Sequence, residues 1–369
     1  MTTRKIPMVD LGAQTDRLWP ELEKALHDVL RSGRFILGPN VEAFEREAAS
    51  FLGTRYAVGV GSGTDALVLG LRALGVGPGD EVIVPSFTFF ATAESVSLVG
   101  ATPVFAEIEP TTFCLEPDAV AKAISLRTRA IVPVHLFGHP AEMDAIGELA
   151  RSRGLALLED AAQGFGAVYR GRKVGGLGNA AAFSFFPSKN LGAFGEAGLV
   201  ATDDAAVADA VRSLRAHGSR ERYMHTEIGY NARLDEIQAA LLRVKLPHVA
   251  GWNDERRRVA AAYDAALFGV TGLRIPRVAP GCTHVFHQYT VRVPADKRAA
   301  AQKSLEAAGI STQVYYPIPN HALPMYAKAA PKLPETDCAA REVLSLPIFP
   351  ELSNADAAEI GRLLAAALR

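Results

Sequence analysis

The chain has 369 residues, of which 49% are hydrophobic, so it is long enough to form a large domain and a smaller one. Its 39 basic residues nearly balance its 40 acidic residues, which disfavours a protein that binds nucleic acid or a membrane surface through its overall charge. The three cysteines are widely spaced, the first residues lack a signal peptide's apolar core, and no apolar run could span a bilayer, which predicts a cytoplasmic protein without a disulfide framework.

Short apolar runs alternate with helical patterns between about residues 57 and 218. This alternation predicts an α/β fold with a mostly parallel sheet. Several of the runs are apolar without a period of two, which indicates strands covered by helices on both faces. The helices predicted at 64–74 and 143–153 each end before a glycine. The predicted strands lie at 81–85, 102–108, 130–138, 155–160, 180–186 and 198–203.

The pattern changes after residue 245, where a long charged helix is predicted at about 247–267. We therefore expect a large domain at 1–245, which includes the N-terminal segment, and a smaller α+β domain at 246–369. Five adjacent charges, DERRR at 254–258, could be an anion site, but such a run on a helix is more typical of a solvated face.

The first glycine-rich segment, GVGSGTDALVLGLRALG at 59–75, leads from a strand into a helix. Glycines at such a junction let backbone N–H groups approach a phosphate at the positive end of the helix, and Ser62 and Thr64 add hydroxyl groups. A dinucleotide site is disfavoured because Thr64 stands where the third glycine is required. The other alternative is structural, with Gly61 and Gly63 making a tight turn and Thr64 capping the helix.

The second segment is an apolar strand that ends in two acids, Glu159 and Asp160, with Gln163 one turn later. Ligands of open α/β sheets bind at the carboxyl ends of the strands, which is where these acids are expected. Because side chains alternate along a strand, only one of the two acids can point into a given site. The alternative for Asp160 is that it caps a following helix.

The third segment, FSFFPSKNLG at 183–192, places Lys189 in the loop after an apolar strand, at the same edge of the sheet. Burial there lowers a lysine's pKa towards that of a nucleophilic amine. Phe89 could offer a flat surface to a ring, although core packing is the alternative for it. A lysine for a Schiff base, a carboxylate for a pyridine nitrogen and a phosphate site together match pyridoxal phosphate.

These motifs resemble the DegT/DnrJ/EryC1/StrS family of nucleotide-sugar aminotransferases over essentially the whole chain. The resemblance implies the fold-type I aminotransferase fold, pyridoxal 5'-phosphate as cofactor, and a homodimer with active sites at the subunit interface. The motifs are SGTDAL (62–67), EDAAQGFGA (159–167), FSFFPSKNLGAFGEAG (183–198), GYNARLDEIQAA (229–240) and VYYPIPNH (314–321).

By position, the resemblance implies that Lys189 forms the Schiff base and that Asp160 pairs with the pyridine nitrogen. Gln163 would reach the ring's phenolic oxygen, and Phe89 would stack on the ring. Asn231 would be donated to the phosphate by the neighbouring subunit. The remaining phosphate contacts implied by the resemblance are Gly63, Thr64 and Ser184.

The resemblance also implies transfer of an amino group, most often from glutamate, to a keto-sugar linked to a nucleoside diphosphate, for a polysaccharide or a natural product. Lys189 would move the proton between cofactor and substrate. The pattern is closer to members that act at sugar C3 than at C4. A lysine at position 189 argues against the family's dehydratase branch, and the lack of a cysteine cluster argues against its iron–sulfur branch. No metal site is expected. The expected substrate contacts are Arg220, Tyr223, His225, Tyr316 and His321.

The alternative is a catalytically silent regulatory or binding protein on the same fold. The presence of Lys189, Asp160 and Gln163 together speaks against it. The sequence also lacks a basic segment of the kind that binds DNA.

Overall fold

The structure is a computed structural model that describes residues 5–221 and 223–369. Its strands are β1 Tyr56–Val60, β2 Glu81–Pro85, β3 Thr102–Ala106, β4 Thr128–Ile131, β5 Ala156–Asp160, β6 Val168–Tyr169, β7 Arg172–Lys173, β8 Ala180–Ser184, β9 Gly198–Thr202, β10 Ser219–Glu221, β11 Met224–His225, β12 Cys282–Thr283, β13 Tyr289–Arg292 and β14 Val343–Leu346. Its α-helices are α1 Leu11–Arg17, α2 Trp19–Ser32, α3 Pro39–Leu52, α4 Gly63–Ala73, α5 Ala91–Leu98, α6 Pro117–Ala123, α7 Met143–Arg153, α8 Ala205–Leu214, α9 Glu236–Lys245, α10 Val249–Leu267, α11 Arg298–Ala307, α12 Pro334–Glu342 and α13 Asn354–Ala367.

The central sheet has seven strands in the order β1-β9-β8-β5-β4-β2-β3. Strands β3, β2, β4, β5 and β8 pair in parallel, whereas β9 runs antiparallel to both β8 and β1. The predicted α/β fold with a mostly parallel sheet is therefore confirmed. Because parallel strands end at one edge, the loops after β2, β5 and β8 lie on the same side of the molecule.

Both faces of the sheet are covered, as the unbroken apolar runs predicted. In β8, Ala180 and Ala182 pack into one hydrophobic cluster, which includes Leu158. The intervening Ala181 and Phe183 pack into a different cluster on the opposite face. A strand buried on both sides needs no polar alternation, which explains the pattern.

Most predicted ends lie within two residues of those in the structure, but strand β4 and the start of helix α4 differ for a structural reason. Strand β4 stops at Ile131, and the rest of the predicted strand includes the 3₁₀ turn Leu136–Gly138, in which Phe137 has φ 57°. Helix α4 begins at Gly63, and its cap is Ser62, whose hydroxyl accepts a hydrogen bond of 3.0 Å from the Asp65 amide. Thr64 therefore lies inside the first turn, and the alternative that it caps the helix is wrong.

A separate hydrophobic cluster is built from residues 259–368, including α10, α13 and the β13–β14 pair. The N-terminal segment contacts it, since Ile6 bridges to Ile310 and Val9 packs against the cluster. The boundary between residues 245 and 246 stays a prediction. None of the described helices has both the length and the apolar character needed to cross a membrane.

The interpretation of DERRR as a solvated face is wrong for one residue. Asp254 and Glu255 are exposed, but Arg256 is buried and donates hydrogen bonds to the carbonyls of Phe286 and Ile348. The helical period places Arg256 on the same inward face as Trp252, Val259 and Tyr263, all of them buried. Charge content alone did not reveal that inward face.

Candidate active site

A cavity of about 670 Å³ opens at the carboxyl edge of the sheet, between the ends of β2, β5 and β8 and the start of α4. It brings together residues that are far apart in the sequence, which is the arrangement expected of a ligand site in a parallel sheet. Of the residues predicted for the site, the cavity is lined by Gly63, Thr64, Phe89, Asp160, Gln163, Ser184, Lys189 and Tyr316.

Lys189 reaches the cavity from the loop that follows β8. Its amide donates a hydrogen bond of 2.8 Å to the Phe186 carbonyl, which folds the loop into a tight turn. Gly192 closes this loop, because a Cβ there would lie 2.2 Å from the Pro187 carbonyl oxygen. Burial lowers the pKa of the Lys189 amine to about 8, although the nearby Asp160 carboxylate opposes the shift. The amine is therefore partly unprotonated near neutral pH.

Asp160 ends β5 inside the cavity and is 4% exposed. One carboxylate oxygen accepts a 2.7 Å hydrogen bond from the Thr92 hydroxyl, and the other accepts a 3.2 Å bond from the Ala162 amide. Burial raises the pKa of Asp160, while the Thr92 bond acts in the opposite direction. Strand β5 continues into turns, so Asp160 does not cap a helix.

The neighbouring acid, Glu159, points away from the cavity. Its carboxylate accepts hydrogen bonds from the amides of Gly175, Leu177 and Gly178 and from Nε2 of His135. Burial raises the pKa of Glu159, but these bonds outweigh burial and hold the pKa below its usual value. The two acids thus lie on opposite faces, as the alternation along the strand predicted.

Gln163 is held in a fixed orientation at the cavity wall. Its Oε1 accepts a 2.7 Å bond from the Phe137 amide, and its Nε2 donates a 3.0 Å bond to the Tyr316 hydroxyl. Phe89 is 58% exposed with its ring 6.2 Å from that of Tyr316, so core packing does not explain it. Gln163, Phe89 and Tyr316 therefore present one amide and two rings to a ligand.

The start of α4 approaches β8 so closely that only glycine fits at position 63. A Cβ on Gly63 would lie 2.5 Å from the Cβ of Ser184. The Ser62 hydroxyl is engaged with Asp65, which leaves those of Thr64 and Ser184 beside the helix start. A helix N-terminus with two hydroxyl groups is suited to a phosphate.

We expect Gly63→Ala to weaken binding of pyridoxal phosphate about tenfold or more, because the added methyl group must push the helix start away from β8. Gly77→Ala is the matched control, since a Cβ at Gly77 has no neighbour within 4 Å. The dissociation constant of the cofactor, measured by fluorescence titration of the cofactor-free protein, checks the prediction. Equal affinity of the two variants would contradict it.

Some predicted contacts are not brought to this cavity. Arg220, Tyr223 and His225 lie in or beside the short β10–β11 pair, outside the described cavity lining. Asn231 is exposed, and its Oδ1 accepts a 2.5 Å bond from Arg233. Within one chain, these four residues do not meet a ligand in the cavity.

His321 also lies away from the described lining, and its ring is engaged elsewhere. Its Nδ1 is 2.6 Å from the Ser86 hydroxyl, its amide donates to the same oxygen, and its Nε2 is 3.4 Å from Asp337. The ring therefore fastens the loop after β2 to α12 within one chain, and its contact with the substrate stays a prediction.

Several cavity residues were missed by the sequence analysis. His287 and Gln288 line the cavity, as does Glu196, and Thr92 bonds to Asp160. Thr92 lies 68 positions before Asp160 and belongs to no recognisable motif. Glu196 lies within the motif at 183–198, but no sequence pattern indicated that it, Thr92, His287 or Gln288 contributes to the site.

The residues present fit pyridoxal phosphate. The cavity combines an enclosed amine, a buried carboxylate and a helix start that approaches its neighbouring strand through a glycine. These are the groups that such a cofactor requires for its aldehyde, its ring nitrogen and its phosphate.

Comparisons with known proteins agree with this donor set. The model of the DegT/DnrJ/EryC1/StrS aminotransferase family matches residues 17–365. A dTDP-3-amino-3,4,6-trideoxy-alpha-D-glucose transaminase from Streptomyces venezuelae is 49% identical over 97% of this chain and 95% of its own length. A pleiotropic regulatory protein from Geobacillus stearothermophilus is 49% identical over 95% of both chains. The crystal structure of DesV from S. venezuelae has a TM-score of 0.96 and 48% identity, with both chains fully covered.

Proposed function

The chain belongs to the DegT/DnrJ/EryC1/StrS aminotransferase family, and we propose that it transfers the amino group of L-glutamate to C3 of a keto-sugar linked to a nucleoside diphosphate. It is a pyridoxal phosphate-dependent aminotransferase of nucleotide sugars in amino-sugar biosynthesis. The observation that carries the proposal is the cavity shared by the Lys189 amine and the Asp160 carboxylate. The S. venezuelae transaminase is named for a sugar with its amino group at C3, and this supports C3 as the position of transfer.

The cofactor, when bound, supplies an electron sink for the carbon that loses or gains a proton. In our proposal, Lys189 Nζ accepts the proton from one of two carbons, that of the substrate or that of the cofactor, and returns it to the other; this requires an amine that is partly unprotonated at neutral pH. Asp160 holds a proton on the ring nitrogen. Thr92 and the Ala162 amide orient the Asp160 carboxylate for this task.

The regulatory alternative is not favoured, although one relative is named a regulatory protein. A purely binding protein would have no use for a half-buried amine of lowered pKa in the same cavity as a buried carboxylate, since both groups are costly to remove from water. Location in the cytoplasm stays a prediction from cysteine usage, as does the route to a polysaccharide or a natural product.

We expect covalent loading of the cofactor-free protein with pyridoxal phosphate to speed up with rising pH and to level off above about 8, where the Lys189 amine loses its proton. At pH 7 about one tenth of such amines are unprotonated, against about 0.04% for an ordinary lysine of pKa about 10.4. Stopped-flow absorbance over pH 6–11 checks this. As a control, the rate at which pyridoxal phosphate reacts with Nα-acetyl-lysine should still rise above pH 9. If the rate for the protein depended on pH in the same way, the lowered pKa of Lys189 would be contradicted.

We further propose a homodimer in which Asn231 of each subunit serves the other subunit's site. Supporting this, Asn231 is exposed and outside the described cavity lining, and two exposed phenylalanines, Phe89 and Phe186, line the cavity. Apolar patches of this kind mark interaction surfaces.

Mixing the inactive variants Lys189→Ala and Asn231→Ala should restore about a quarter of wild-type activity, because half of randomly formed dimers would hold one intact site of two. The mixture is unfolded, refolded together and assayed beside each variant refolded alone. If Asn231 acts within its own subunit, the mixture stays as inactive as its components.

The proposed reaction is tested by offering the purified enzyme L-glutamate with either a 3-keto or a 4-keto nucleotide sugar and identifying the product by NMR. We expect amination of the 3-keto sugar. Amination of the 4-keto sugar alone would reject the assignment to C3, and conversion of neither would reject a keto-sugar at these positions.

A further inference from the structure

His287 lies in the cavity wall close to Lys189, yet the reaction as described above does not use it. The residue is 7% exposed and lines the same cavity as Lys189. Its Nδ1 is 3.2 Å from Oδ1 of Asn190, the residue that directly follows Lys189. The ring is therefore bonded to the loop that carries the reactive amine.

A chain of hydrogen bonds determines which nitrogen of the ring carries the proton. Asn253 Nδ2 donates to the Phe165 carbonyl at 3.1 Å, so Asn253 Oδ1 accepts from Asn190 Nδ2 at 2.7 Å. Asn190 Nδ2 also donates to the Val285 carbonyl at 2.9 Å. Because both partners of this amide nitrogen are acceptors, Asn190 Oδ1 must face the ring. His287 therefore donates from Nδ1.

The other ring nitrogen is left as an acceptor. A neutral imidazole has one N–H group, so Nε2 of His287 carries a lone pair. Nε2 has no hydrogen-bond partner within residues 5–221 and 223–369. It is also not one of the fully buried polar atoms that lack a partner there, all of which belong to Arg215 and Glu351, so it has some exposed surface. Nε2 is therefore open to the cavity.

The surroundings keep the ring neutral. Burial holds the pKa of His287 well below its usual value, and the positive charges of Lys189 and Arg256, with His284, act in the same direction. The Asp160 carboxylate lines the same cavity and favours the charged form of the Lys189 amine. A ring that stays neutral can accept a hydrogen bond at Nε2 but cannot donate one.

We propose that His287 is a positioning residue for Lys189: the free amine turns about its side-chain bonds to donate a hydrogen bond to Nε2, which has no partner among the described residues, and the Phe165–Asn253–Asn190 chain keeps the ring in the accepting tautomer. A lysine amine sits on a flexible four-carbon stem, so an acceptor beside it limits where the amine can point. The opposite tautomer would place an N–H group against the amine and lose this contact. The inference rests on the proposed role of Lys189.

The tautomer is tested directly by ¹⁵N NMR of the full-length, cofactor-free protein labelled in histidine, with the spectrum of His287→Phe identifying the signal. We expect a protonated Nδ1 and an unprotonated Nε2 across pH 6–9. A protonated Nε2, or titration of the ring within this range, would overturn the inference. This measurement needs no activity and no bound cofactor.

The contact with Lys189 is tested by comparing His287→Phe, which lacks an acceptor, with His287→Gln, whose amide oxygen can replace Nε2. We expect the pKa of Lys189, followed by ¹³C NMR of its ε carbon, to fall by about one unit in the phenylalanine variant, since an acceptor favours the charged amine. The glutamine variant should stay close to wild type. An unchanged pKa in the phenylalanine variant, or equal shifts in both, would overturn the proposal. Covalent loading of both variants with pyridoxal phosphate, with the adduct reduced by borohydride and located by mass spectrometry, shows separately whether Lys189 is the reactive lysine.

Discussion

Lys189→Ala is expected to lose detectable turnover, a fall of at least about 10⁴-fold, and to bind pyridoxal phosphate without a covalent bond. The variant removes both the amine that condenses with the cofactor and the base that moves the proton. Borohydride reduction followed by mass spectrometry detects the covalent bond, and a coupled glutamate assay measures turnover. Wild-type turnover in this variant would refute the assignment.

Lys245 provides a matched control, because burial also lowers its pKa to about 8. Its amine donates to the Gly192 carbonyl and lies over the rings of Phe194 and Trp252, away from the cavity lining. Lys245→Met should therefore lose stability but keep covalent cofactor binding. A low pKa alone does not select the reactive lysine; its position beside Asp160 does.

Asp160→Asn is expected to reduce turnover by about 10³-fold or more while the protein stays folded, because an amide cannot keep the ring nitrogen protonated. Single-turnover kinetics with the bound cofactor measure the loss directly. Near-normal rates would show that a different group holds the ring nitrogen.

Glu159→Gln is the control variant that separates an effect on turnover from an effect on stability. Its carboxylate accepts three backbone N–H bonds and one from His135 outside the cavity, so the expected loss is in melting temperature rather than in turnover. If instead Glu159→Gln lowered turnover and Asp160→Asn lowered the melting temperature, the roles of the two acids would have to be exchanged.

The architecture was largely predictable because it rests on local patterns. Buried parallel strands have unbroken apolar runs, helix α7 ends at a glycine in the left-handed conformation, and both features can be recognised over a few residues. The ends of β4 and α4 were less predictable, since long-range contacts and a serine cap decide them. Arg256 shows the same limit, because its burial follows from which face of α10 packs inward.

The residues of the candidate site also divide into those that local patterns predicted and those that only packing brought together. Lys189, Asp160 and Gln163 could be found because each follows a recognisable strand, and parallel strands deliver their carboxyl ends to one edge. Thr92 and His287 could not be found, since neither belongs to a motif of its own: Thr92 lies 68 positions from Asp160, and His287 lies 97 positions from Asn190.

The sequence by itself determined the order of strands and helices, the lysine and carboxylate at the strand ends, and through them the chemistry. Only the tertiary structure decided that backbone amides and His135 hold Glu159 outside the cavity, that His321 is tied to Ser86, and which nitrogen of His287 carries a proton. The physical reason is that strand and helix formation depends on neighbours in the chain. The direction of a hydrogen bond depends instead on donors and acceptors that packing brings together from distant segments.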